Sequence, residues 1–250
     1  MKKLMFVSVI AMLASTAQVQ GYYYEDFETT GDQYTLWGQG AVNDGYLTTT
    51  DDWWGGAVLD GEYNGTPTDP STKTTRFNLQ GNTFTWTSLV HFFGTDGTNQ
   101  LETHHGMPIG VKVRYMPNHN GGSLRVYDNN ADEQDKLFEW FHPMPGGFDI
   151  WDDYDFVVED YGDSVTFWVQ NAANPSIRTD AAVYDISGIP RMGNKDAVTF
   201  LNFPFYPGDG GTDTGGIDSV TIVPEPATIV SLAMGLGLVL GGLLLRRRRS

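Results

Sequence analysis

The residues of this 250-residue chain able to bind a metal or move a proton are its five histidines, a run of oxygen-bearing side chains, and a few scattered acids. His104 and His105 are adjacent, so in an extended segment they point to opposite faces and form no chelate; Glu102 with His104 would supply two ligands at most. Asp128, Asn130 and Asp132 stand at positions 1, 3 and 5 of a calcium-loop spacing, and Glu139 falls at position 12. Glu133 occupies position 6, where such a loop needs glycine for its sharp turn, and the segment joins two strands rather than two helices. It therefore reads either as a calcium loop or as a solvated hairpin loop. Glycoside hydrolysis from a strand needs acids on one face, spaced E-x-D-x-E or E-x-D-x-x-E, so that one attacks and another protonates. Glu25-Asp26-Phe27-Glu28 has the wrong spacing, Glu139 stands alone between Phe138 and Trp140, and Glu159-Asp160 sits beside a turn. No glycine-rich phosphate loop and no G-x-S-x-G is present. There is no cysteine, which excludes thiol chemistry and thiolate metal sites. The expectation is a non-catalytic protein; a polysaccharide lyase using His and Tyr is the enzymatic reading the motifs leave open.

The elements that must position these residues are strands. Thirty glycines, twelve prolines and an aromatic content of 13% suit many short strands joined by turns. In 83–93 the apolar set Phe84, Trp86, Val90 and Phe92 shares one face, which places His91 off the core face. Alternation also sets Lys112, Arg114 and Arg125 off the core. Further runs lie at 136–141, 196–203 and 216–223. The clearest unit is 151–171, where Tyr154, Phe156 and Val158 share a face, a Tyr161-Gly162-Asp163 turn follows, and Val165, Phe167 and Val169 share a face. Trp168 is out of phase with Phe167 and faces away from the core. Aromatic faces stack on sugar rings, so Trp168 beside His91 and Arg114 is a candidate saccharide site.

The ends have other duties. Residues 1–21 carry Lys2 and Lys3, an apolar stretch of 11 residues and then small residues, the layout of a secretory signal peptide. Residues 227–245 hold 19 uncharged, mostly apolar residues, about 28 Å as a helix and enough to cross a bilayer. Arg246, Arg247, Arg248 and Arg249 follow at once and stay on the cytoplasmic side, so the body faces outward from the inner membrane. Six of the fifteen basic residues lie in these ends; nine remain against 31 acidic residues in the rest, a net charge of −22. Such a body repels nucleic acid and anionic polymers, and suits extracellular solubility, divalent cations or basic partners.

Val223-Pro224-Glu225-Pro226, one apolar span and a terminal arginine cluster, in that order, resemble the PEP-CTERM sorting signal. The resemblance implies export by a Gram-negative bacterium, recognition by an exosortase, removal of the tail near Pro224–Pro226, and a link to exopolysaccharide and biofilm. The hairpin at 151–171, the opening Tyr24-Glu25-Asp26-Phe27-Glu28 and the closing Gly216-Ile217-Asp218-Ser219-Val220-Thr221-Ile222 resemble the concanavalin A-like lectin/glucanase and laminin-G-like jelly rolls. That resemblance implies side-by-side first and last strands, glycan binding on the surface Trp168 faces, and a structural calcium at Asp218. The expected architecture is all-β: a two-sheet antiparallel jelly-roll sandwich over 22–222, behind a signal peptide (1–21) and ahead of a sorting and anchor segment (223–250). The expected function is that of an exported surface protein, periplasm-facing or passed to the matrix, that binds extracellular polysaccharide without transforming it. A structural or adhesive surface protein with no glycan ligand is the alternative.

Overall fold

The computed structural model describes residues 23–28, 33–49, 55–61, 63–79, 88–96, 110–117, 122–128, 135–147, 149, 151–201 and 215–224. The expected signal peptide, the 227–245 span and the arginine cluster lie outside these residues. Among the described residues no helix is long and apolar enough to cross a membrane.

Fifteen strands are described: β1 (Tyr23–Glu25), β2 (Tyr34–Gly38), β3 (Gly40–Asn43), β4 (Tyr46–Thr49), β5 (Gly55–Leu59), β6 (Ser71–Asn78), β7 (Ser88–Thr95), β8 (Val111–Met116), β9 (Ser123–Asp128), β10 (Asp135–Phe141), β11 (Asp153–Asp160), β12 (Ser164–Asn171), β13 (Ala182–Asp185), β14 (Lys195–Leu201) and β15 (Gly216–Pro224). They form two antiparallel sheets. The first runs β13-β12-β11-β6-β15-β4-β3, with β1 also on β15; the second runs β10-β9-β8-β7-β14-β5-β2. This is the all-β, two-sheet sandwich that the strand pattern implies. The first and last strands lie side by side, with Tyr23 opposite Ile222 and Glu25 opposite Val220. The last strand keeps its pairing with β6 as far as Pro224, opposite Ser71.

The 151–171 hairpin forms in the register its alternation dictates, Phe156 opposite Val169 and Val158 opposite Phe167. Its turn is closed by the Tyr161 N–H donating to the Ser164 carbonyl at 3.0 Å. Gly162 sits there at φ 87°, where an L side chain is strained and where a Cβ would meet Pro67 and Thr66 at 2.9 Å.

Alternation sends one residue in two of each strand into the space between the sheets. Phe77, Phe156, Phe167 and Val220 from the first sheet meet Tyr115, Leu124, Val126 and Phe200 from the second. The aromatic rings mesh across the gap at centroid separations of 6.5 Å (Phe77–Tyr115 and Phe77–Phe200) and 6.3 Å (Tyr115–Phe156). Each fully buried ring of this kind contributes about 1.5–3 kcal/mol by leaving water. The second sheet buries residues on its other face as well, where Trp37, Val58, Val90, Phe92 and Ala197 form a separate apolar cluster.

Candidate functional site

The face of the second sheet turned away from the first carries a continuous row of polar side chains. From β8 come Lys112 and Arg114, from β9 Ser123, Arg125 and Tyr127, and from β10 Lys136 and Glu139; cross-strand register sets Lys112 opposite Tyr127, Arg114 opposite Arg125, and Arg125 opposite Glu139. Their neighbour on β7 is Ser88. The row is joined by contacts. Lys112 Nζ lies 4.7 Å from the Tyr127 ring centroid and 5.8 Å from that of Phe92. Arg114 donates from Nη2 and Nε to Ser88 Oγ at 2.6 and 3.0 Å. Arg125 donates from Nε to Ser123 Oγ at 2.9 Å and forms an ion pair with Glu139, whose other oxygen is 2.5 Å from Lys136 Nζ.

Lys136 and Glu139 are three apart and would face opposite sides of a regular strand. A register shift between Lys136 and Phe138 absorbs one extra residue and brings both to the same face. Aromatic residues flank the row, with Trp37 packed edge-on against Phe92 at 6.1 Å on one side and Phe141, 45% exposed, on the other. Exposure grows toward the β10 edge: the Arg125 side chain is 9% exposed, that of Glu139 18% and that of Lys136 46%. Burial together with the charge of Arg114 pushes the Lys112 ammonium well below its usual range. For Glu139 the slight burial opposes ionisation, but the Lys136 hydrogen bond and the Arg125 charge prevail and hold its carboxyl below the ordinary value. Lys112 and Ser123 are fully buried and Arg114 and Tyr127 nearly so, so the row can offer donors to an anionic or hydroxyl-rich ligand only at its β10 end.

The three side chains expected to form one saccharide site are not brought together. Arg114 is on the outer face of the second sheet, as its alternation implies. Trp168 is on the outer face of the first sheet, opposite Val157. Its indole N–H donates to Gln170 Oε1 at 2.9 Å, and one ring face is covered by the Arg178 guanidinium at 5.5 Å. His91 is not off the core at all: it lies between the sheets, fully buried. The phase expected for β7 is therefore reversed. The cause is that β7 is apolar on both faces, Leu89 and Phe93 joining the main core while Val90 and Phe92 join the outer cluster, so its pattern carries no phase.

Between the sheets His91 belongs to a buried polar network. Its Nε2 is 2.9 Å from Asp196 Oδ2 and its Nδ1 3.2 Å from Thr75 Oγ1; an Nε2–H tautomer donates to the carboxylate and accepts the threonine proton. Lys73 Nζ reaches the same Asp196 oxygen at 2.8 Å and the Tyr63 carbonyl at 2.6 Å. Asp160 lies 4.0 Å from Lys73 and accepts from Arg191 at 2.8 and 2.5 Å and from the Gly65 and Gly162 N–H groups at 2.8 and 2.9 Å. Burial alone would raise the Asp160 carboxyl, yet the Arg191 hydrogen bonds and the Lys73 charge hold it below the ordinary value. The hydroxyl–imidazole–carboxylate order of Thr75, His91 and Asp196 is that of a nucleophile relay, but all three are 0% exposed and no substrate reaches them. Their work is to tie β6 of one sheet to β7 and β14 of the other.

The two expected calcium sites, one at Asp218 and one at Asp128, Asn130 and Asp132, lie on different sheets or outside the described residues. Asp218 sits at a register shift in β15 of the first sheet and accepts the Ser219 hydroxyl at 3.2 Å. Asp128 ends β9 of the second sheet, and Asn130 and Asp132 lie outside the described residues. Calcium takes six to eight oxygens; among the described residues no group of three or more His, Asp or Glu side chains is placed to hold a metal. Asp218 instead adds its charge, with Asp153, to the Asp155 carboxylate that pairs with Arg76.

No family model matches the chain, and no curated protein matches it. Solved structures do. The VIP36 exoplasmic/lumenal domain in its Ca2+/Man3GlcNAc-bound form is similar at a TM-score of 0.53 and 11% identity, over 77% of this chain and 84% of that one. The Emp47p carbohydrate recognition domain is similar at 0.51 and 14%, over 81% and 95%. A Lotus tetragonolobus seed lectin is similar at 0.51 and 11%, over 82% and 98%. With both sheets, their order and the paired termini already in place, these likenesses identify the fold as a legume-lectin-like jelly roll.

Proposed function

We propose that this chain is an exported, membrane-tethered surface protein whose jelly-roll domain binds extracellular polysaccharide without cleaving it. The observation that carries the reading is the polar row on the outer face of the second sheet, which opens at its β10 edge, where Arg125, Glu139 and Lys136 stand beside the exposed Phe141 ring. Sugars are held by this combination of polar donors for hydroxyls and flat rings for the pyranose faces. The fold supports the reading, since one structural neighbour is a carbohydrate recognition domain and another is in a Man3GlcNAc-bound form. Export, the tether and processing by an exosortase rest on the signal-peptide pattern, the 227–245 span and the Val223-Pro224-Glu225-Pro226 motif. Trp168 offers a competing location on the first sheet. A glycan-retention assay separates the two: loss with Trp168→Ala places the ligand on the first sheet, and loss with Arg125→Gln places it on the second. No retention on any glycan by the folded protein overturns the reading.

The structural or adhesive alternative draws on exposed apolar groups, Trp151 at 71% and Val183 at 62%. It expects no glycan retention and weaker biofilm cohesion on deletion of the protein. A calcium at Asp218 would need further oxygens from outside the described residues. A thermal midpoint that rises with calcium and falls with chelator supports it, and an unchanged midpoint removes it.

A further inference from the structure

Resting on the polysaccharide-binding reading, we propose that the outer face of the second sheet selects acidic polysaccharide, taking a uronate-type carboxylate between Arg125 and Lys136 in the place now held by Glu139. The first ground is charge. The body of the chain is strongly acidic, with nine basic residues against 31 acidic ones, yet four of those nine, Lys112, Arg114, Arg125 and Lys136, are gathered on one face of three adjacent strands. Arg114 and Arg125 are direct cross-strand partners. Like charges directly opposite destabilise a sheet, and packing alone gives no reason to put them there. The Glu139 carboxylate on Arg125 offsets that repulsion, and a ligand carboxylate in its place would do the same.

The second ground is Glu139, which already shows how the site holds a carboxylate. One oxygen meets Arg125 and accepts from Ser123 Oγ at 3.2 Å, and the other meets Lys136 Nζ at 2.5 Å. Arg125 meets the carboxylate through Nη2 alone, its Nε going to Ser123 Oγ and its Nη1 to the Tyr127 hydroxyl at 3.4 Å, so the two carboxylate oxygens are divided between Arg125 and Lys136. The third ground is the irregularity in β10. The extra residue between Lys136 and Phe138 is what turns Lys136 onto the face of Glu139, and bulges of this kind re-aim side chains at binding sites. The site opens at the sheet edge, where Lys136 and Phe141 are both 45–46% exposed. A uronate there meets cations with its carboxylate and the Phe141 ring with its sugar face.

Affinity electrophoresis of the full-length protein in detergent, through gels containing polygalacturonate, sulfated dextran or neutral dextran, tests this. Polygalacturonate is expected to retard the protein in a salt-sensitive way, and neutral dextran much less. Lys136→Gln, at an exposed position, is expected to weaken retardation. Arg125→Gln is expected to weaken it by about tenfold or more, the scale of one charged hydrogen-bonded contact. Glu139→Gln is expected to strengthen it, because the internal competitor is gone while the cations stay. Thermal midpoints confirm that each variant is folded, and Arg125→Lys, which keeps the charge but loses the guanidinium donors to Ser123 and Tyr127 that orient it, should fall between the native protein and Arg125→Gln. Equal retardation by sulfated dextran, or variants indistinguishable from the native protein, overturns the carboxylate assignment. Binding of neutral dextran alone overturns it while leaving the polysaccharide reading intact, and retardation by none of the three overturns both.

Discussion

At the scale of single residues, the chain puts charge where a simple inside–outside rule puts none. In Ser71-Thr72-Lys73-Thr74-Thr75-Arg76-Phe77 every other residue points into the sandwich, so Lys73 and Thr75 are interior and Arg76 is not. No alternation of hydropathy marks this strand in the sequence, because both faces are polar and the partners Asp160 and Asp196 lie far away along the chain. Removing one member of a buried ionic set leaves the others uncompensated and costs about 3–5 kcal/mol. Asp160→Asn is therefore expected to lower the thermal midpoint sharply at neutral pH. Its pH dependence has a definite sign. Asp160 in the folded chain has a carboxyl pKa below the ordinary value of about 3.9, so the unfolded chain takes up the proton first on acidification. The stabilisation is complete above the ordinary carboxylate range and is lost as pH falls through the lower folded value. Thermal melts over acidic pH should show a shallower acid limb in Asp160→Asn; an unchanged limb contradicts this assignment.

At the scale of elements, what could be read in advance depended on whether a strand has one apolar face. β11 and β12 do, and the hairpin with its glycine turn followed directly from Tyr154, Phe156, Val158, Val165, Phe167 and Val169. The pairing of β1 with β15 came from a resemblance and is present. β7 is buried on both faces, so Val90 and Phe92 were as good a core set as Leu89 and Phe93, and His91 was sent the wrong way. In β10 strict alternation separates Lys136 from Glu139, and nothing in Asp135-Lys136-Leu137-Phe138-Glu139-Trp140-Phe141 announces the extra residue that reunites them. Half of the candidate site was thus legible: Lys112, Arg114 and Arg125 were expected on an outer face, while Lys136 and Glu139 were missed. Deleting Leu137 should straighten β10 and keep Lys136 opposite Tyr127. Because Leu137 is 42% exposed, the stability cost should stay within about 1 kcal/mol. A folded deletion variant that no longer binds polygalacturonate contradicts this account of the irregularity.

At the scale of the whole molecule, a disulfide-free sandwich is held by meshed aromatic rings and a buried ionic bridge between sheets, while the outer face of the second sheet carries both an apolar cluster and a row of polar side chains. The last strand stays paired with β6 to Pro224, the second residue of the proposed sorting motif, so the sheet itself leads into the proposed tether. An alkaline phosphatase reporter fused after Ile222 is expected to be active outside the cytoplasm, and a cytosolic reporter contradicts export. The most direct test of the central claim is a glycan array probed with the folded protein, with Arg125→Gln as its control. The account predicts binding concentrated on uronate-bearing glycans and lost in the variant; a folded native protein that binds no glycan on the array contradicts it.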